Sequence, residues 1–143
     1  VRNRVEVDQL LRAAETGHLT ISTMHTNNAP ATINRIRSLY EGDEQLRVLS
    51  SLSDNLRGLA NQVLLKSVDG KSRFAVREVL TVDREVSRMI QVGDVEGIRN
   101  YQLERGITLE HELAKAVMAN KCTIEEARSR SSFPNYFNEL LGV

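Results

Sequence analysis

The residues Thr16-Gly17-His18-Leu19-Thr20-Ile21-Ser22-Thr23-Met24-His25-Thr26-Asn27-Asn28 constrain this chain more than any other stretch. Leu19 to Met24 is short and rich in β-branched residues, which predicts a strand. It ends in imidazole, hydroxyl and amide groups, and Asn28-Ala29-Pro30 then opens a helix. Asn caps well, and Pro near the first turn has no N–H to lose. A buried strand that ends in polar groups is how open α/β folds present chemistry, because ligands collect beyond the strand ends. His18 and His25 lie seven residues apart with no Cys or carboxylate at zinc spacing, which argues against a metal site.

On either side the periodicity is helical. Val7, Leu10, Leu11 and Ala14 predict a first amphipathic helix that stops at Gly17. After Pro30, Ile33, Ile36 and Tyr40 form the stripe of a second, ended by Gly42. Leu49, Leu52, Leu56 and Leu59 predict a third, from about Asp43 to Gly58. Two strands follow, about Asn61–Val68 and Arg73–Val82, joined through Asp69-Gly70, which predicts a hairpin with a type I′ turn. Beyond Asp83 only helices are expected: one on Val86, Met89 and Ile90, and one on Leu109, Leu113, Ala116 and Val117 capped by Thr108. Another opens on the capping box Thr123-x-x-Glu126, and the last starts at Ser132-Phe133-Pro134. The expected partition is therefore 1–82, mixed, and 83–143, helical.

At 143 residues the chain suits one domain, or one with a small helical appendage. Nineteen basic and nineteen acidic side chains cancel, so charge gives no general reason to expect nucleic acid or a membrane surface. Neutral charge likewise argues against a nucleic-acid binder built from the short helices after Gly106. The basic set is fifteen Arg to four Lys, and Arg forks suit phosphates and subunit interfaces as well as ordinary solvated faces. Cys122 is alone, which excludes a disulfide framework and favours a reducing compartment. No run of about 18 apolar residues suggests membrane insertion. Val1 in place of an initiator Met is expected of a piece of a longer protein.

Gly70-Lys71-Ser72 imitates the end of a Walker A loop, but position 65 is Leu and a strand follows, so no phosphate cradle is expected there. Glu78 shares strand parity with Phe74, Val76, Leu80 and Val82, so a carboxylate interrupts an apolar face. It needs a partner: Arg57, Arg77 or a backbone donor.

The wording of the opening stretch resembles the histidine box of secretion and pilus-motor ATPases of the PilT and GspE type, T-G-H…T-x-H-T-N…A…T-I-x-R. Here it falls on Thr16, Gly17, His18, Thr23, His25, Thr26, Asn27, Ala29, Thr32, Ile33 and Arg35. The similarity continues through Leu52–Leu65, the Asp69-Gly70-Lys71…Glu78-Val79-Leu80 hairpin, Gly106–Leu113 and Asn120–Ala127. The stretch Glu85–Val92 departs from the A-I-R-N-L-I-R-E signature of retraction members, agreeing only in apolar spacing.

The resemblance implies an α/β fold, the C-terminal half of a RecA-like P-loop ATPase core (1–82) followed by a helical C-terminal subdomain (83–143). It implies an ATP-hydrolysing motor subunit of a type II secretion, type IV pilus or type IV secretion machine. His25 would sense the terminal phosphate, assisted by Thr23 and Thr26, while His18 holds the strand–helix junction. ATP and Mg2+ would be held by Walker A and Walker B segments lying upstream of Val1. A homo-oligomeric ring, a hexamer, is implied, at the cytoplasmic face of the inner membrane, against that membrane's machine components and without direct nucleic-acid contact. A non-catalytic assembly module is the alternative reading.

Overall fold

The computed structural model describes residues 1–143, in the order α1 (Arg4–Glu15), α2 (Ala29–Arg37), α3 (Asp43–Asn55), β1 (Gly58–Lys66), β2 (Arg73–Thr81), α4 (Arg84–Val92), α5 (Val95–Glu104), α6 (Leu109–Met118), α7 (Ile124–Arg130) and α8 (Pro134–Leu141). β1 and β2 form a two-stranded sheet, the only one in the chain. No helix is long and apolar enough to cross a membrane.

Most helices start where a side chain can take an orphan amide. Asn3 accepts from Glu6 N, Asn28 from Ala31 N, Asp83 from Val86 N, Thr108 from His111 N and Thr123 from Glu126 N. Thr123-x-x-Glu126 completes only half of its box. The Glu126 carboxylate accepts Lys66 N at 3.0 Å instead, tying α7 to the end of β1.

The chain packs as two compact units, Val1–Leu59 with Thr81–Tyr101, and Ala60–Leu80 with Gln102–Val143. In the first unit α4 packs on α3. Val86, Ile90 and Ile98 join Ile33, Val48, Leu49 and Leu52 in its core, all buried. Helix α5 is unforeseen: Asp94 Oδ1 accepts Gly97 N at 2.8 Å and opens it, but Gly97 and the buried Gln102 interrupt the apolar pattern.

In the second unit Leu65 and Val76 from the hairpin join Leu109, Leu113, Ala127 and Phe137 around one core that includes Cys122. The hairpin connection is longer than the two-residue type I′ turn expected. Ser67 N donates to Ser72 O at 2.9 Å, leaving four residues between them. Asp69 accepts Lys71 N at 3.0 Å, and Gly70 supplies the positive φ of +69°. These bonds give Gly70-Lys71-Ser72 to an exposed turn and not to a helix N-terminus.

Glu78 is 3% exposed, and its Oε2 accepts Leu109 N at 3.1 Å. A backbone donor is thus among the partners of the buried carboxylate; Arg77 bonds Gln62 Oε1 (2.9 Å) and Arg57 bonds Asp54 O (3.2 Å).

Candidate functional site

The histidine-box segment leaves α1 through a Schellman motif. Gly17, at φ +90°, donates to Ala14 O at 2.9 Å and His18 N donates to Ala13 O at 3.0 Å. Thr16 Oγ1 lies 2.9 Å from Ala13 O and 3.1 Å from His18 Nδ1. A hydroxyl has one proton, and here a helix carbonyl takes it, so Oγ1 accepts from Nδ1–H. The rest of the ring is exposed. His18 therefore sits at the exit from α1.

Leu19 to Met24 is not a strand within this chain. Its sequence favours the pleated state, but a strand exists only where a neighbour takes its N–H and C=O groups. The one ladder present joins β1 to β2. Leu19 and Ile21 consequently stand 86% exposed.

The four expected site residues separate into two pairs. Thr23 and His25 are exposed, and neither ring nitrogen of His25 is engaged within the chain. Thr26 is turned toward α2, its Oγ1 2.7 Å from Thr32 Oγ1. Thr32 in turn donates to Asn28 O at 3.0 Å, so the shared proton comes from Thr26 and the Thr26 oxygen keeps its lone pairs. His18 is bound to α1 as described. No hydrogen bond links any two of the four.

Helix α2 begins directly after them. Asn28 Oδ1 accepts Ala31 N at 2.8 Å and Pro30 occupies the first turn. Ala29, Thr32, Ile33 and Ile36 are buried, so this helix is a fixed base for the polar segment before it. The positive end of its dipole and the imidazole and hydroxyl donors beside it suit a phosphate. Segment 16–28 contains no carboxylate, so the same residues do not suit a magnesium ion.

Sequence reasoning missed the brace behind this segment. Arg4 makes a bidentate pair with Glu44 and lies over the Tyr40 ring, 5.0 Å from its centroid. Tyr40 OH donates to Asp8 Oδ1 at 2.8 Å, and burial first, then that bond, pushes its hydroxyl far above the ordinary tyrosine range. The brace joins α1 to the α2–α3 region, between which residues 16–28 run. Of the four, Tyr40 alone falls in an apolar stripe, and nothing local pairs it with residues 32 and 36 positions away.

A family profile described as "Type II/IV secretion system protein" matches residues 1–129. The chain belongs to that family. The type IV pilus ATPase PilU of Pseudomonas aeruginosa is 32% identical over 139 residues, which cover 94% of this chain and 36% of PilU. A twitching motility protein of Neisseria gonorrhoeae is 33% identical over 136 residues, covering 92% of this chain and 36% of that protein. Among solved structures, the pilus retraction motor PilT with bound ADP superposes with a TM-score of 0.86 at 32% identity, covering 95% of this chain and 39% of PilT. The Legionella pneumophila ATPase DotB gives 0.77 at 24% identity, a likeness of fold alone, over 90% of this chain and 36% of DotB. The chain thus spans little more than a third of the relatives it matches. Its fold is the mixed α/β C-terminal region of a PilT-like ATPase domain.

Proposed function

We propose that this secretion-family chain is part of an ATP-hydrolysing motor subunit of a pilus or secretion machine, and that His25 and Thr23 read the terminal phosphate. The observation that carries the reading is their exposure: an unengaged imidazole and a free hydroxyl stand just before the positive end of α2. Had these groups been sealed in a core, no nucleotide could reach them. An imidazole N–H or a hydroxyl donates well to a phosphate oxygen and loses that bond when the phosphate leaves. Thr26, the next residue along and tied to α2 through Thr32, assists them, and His18 holds the exit from α1.

Bound Mg-ATP supplies the phosphoryl group and its charge neutralisation. The residues of this chain orient toward the phosphate, while the metal is held elsewhere in the full-length protein. In that reading 1–82 belongs to the RecA-like core and 83–143 to the helical subdomain. Leu19 to Met24 gains its ladder from strands of the rest of that core. The motor works as a homo-oligomeric ring, a hexamer, at the cytoplasmic face of the inner membrane, against the membrane components of its machine.

The test is His25→Ala in the full-length protein. Turnover of ATP is expected to fall by about 10²-fold or more, as when a preorganised transition-state donor is removed, while thermal unfolding is unchanged. Wild-type turnover in that variant overturns the assignment.

A further inference from the structure

We propose that α2 is a coupling strut that joins the phosphate-facing segment to the C-terminal end of α4, with Arg37 as the positioning residue at the far joint. This rests on the reading above and adds a route by which a bound phosphate is felt elsewhere in the same unit.

The near joint is the Thr26–Thr32 hydroxyl pair at 2.7 Å, backed by Asn28, whose carbonyl accepts Thr32 Oγ1 at 3.0 Å. Anything that draws Thr26 toward a ligand pulls on the first turn of α2. The strut is the helix itself, nine residues and about 13.5 Å long at 1.5 Å per residue, with its inward face on Ala29, Thr32, Ile33 and Ile36. A capped, packed helix shifts as a body, because bending it would break its own hydrogen bonds.

The far joint is a fork. Arg37 Nη2 donates to Asn34 Oδ1 at 2.7 Å, fixing the guanidinium on α2, and Nη1 donates to Gly93 O at 3.2 Å. Gly93 ends α4 in a Schellman arrangement, φ +72°, with its N–H on Ile90 O and Asp94 N–H on Met89 O. A cation therefore meets the negative end of the α4 dipole. The approach is close: a Cβ at residue 93 would stand 3.1 Å from Arg37 Nη1 and 3.3 Å from Leu49 Cδ1. Beside this joint α4 exposes Arg88, Gln91 and Val92, so its displacement is legible to a neighbouring protein.

The test uses the full-length protein. Amide exchange at residues 93–95 is followed with and without a non-hydrolysable ATP analogue in wild type and Arg37→Ala. The analogue is expected to change exchange there by at least about threefold in wild type and to leave it unchanged in the variant. In parallel, turnover is measured for Thr26→Val, Arg37→Ala and the pair. Residues this far apart act independently unless something links them, so a combined loss clearly smaller than the product of the single losses supports the strut. A product of independent effects, or an analogue response that persists in Arg37→Ala, overturns it. Arg37→Lys, which keeps the charge but loses the fork, is expected to recover part of the response; a merely structural loss shows instead as a lowered melting temperature without altered coupling. If His25→Ala leaves turnover intact, the phosphate reading itself fails; if it abolishes turnover while residues 93–95 of the wild type do not respond to the analogue, only the strut fails.

Discussion

Glu78 Oε2 accepts the Leu109 backbone N–H at 3.1 Å, so a buried carboxylate of β2 sits at the first turn of α6. The same device recurs in that unit. Glu110, 2% exposed, accepts Ser131 Oγ (3.0 Å), Ser132 N (3.1 Å) and Phe133 N (3.1 Å) through Oε1, just ahead of α8. A helix N-terminus concentrates unpaired amides and positive potential, which makes it an economical place to bury an acid.

Glu78→Ala leaves a buried amide without its charged acceptor and is expected to cost about 2–3 kcal/mol in chemical denaturation. Glu78→Gln keeps an acceptor and should cost about 1 kcal/mol. Equal losses in the two variants would show that volume, not the acceptor, matters at this position.

For Glu110 the readout is local. Phe133 at the start of α8 has no side-chain cap of its own, so Glu110 stands in for one. Glu110→Ala should speed amide exchange at Ser132 and Phe133 before the rest of the unit, and lower stability by about 2 kcal/mol. Unchanged protection at those two amides contradicts the role.

His111 links α6 to α8: its Nδ1 is 2.8 Å from Thr108 Oγ1, its Nε2 3.3 Å from Tyr136 OH, and the two rings meet edge to face at 5.6 Å. Burial first, then the Lys115 charge, holds its pKa below the ordinary 6.5, with Glu110 and Glu112 opposing. A depressed value means the fold prefers the neutral ring. The contribution is thus complete above the unfolded value near 6.5 and fades as pH falls through the folded one. Melting temperature should drop on acidification below about pH 6.5, and His111→Gln should flatten that part of the profile.

Gly17 exits α1 at φ +90° with open space around it. Gly17→Ala is expected to cost about 1–2 kcal/mol from backbone strain alone, and Gly17→Asn less, because Asn tolerates the left-handed region better. Matching stabilities for Gly, Ala and Asn would mean that the helix exit relaxes.

Helix starts at Asn28, Asp83, Thr108 and Thr123 and the stop at Gly17 follow from residues within a few positions of one another. The histidine-box wording names His18, Thr23, His25 and Thr26 as candidates, and the caps and stop around them are local. Local chemistry decided these, because a cap or a turn needs only its own neighbours. Tertiary structure alone decided the rest. Leu19 to Met24 has the composition of a strand but no ladder, since pairing needs a partner that a pattern does not supply. Glu126 forsook its own capping box for Lys66 N, Glu78 reached Leu109 N, and the brace of Arg4, Asp8, Tyr40 and Glu44 gathered residues far apart in the chain. Each outcome is a competition among donors and acceptors, and only folding determines which of them come within 3 Å of each other.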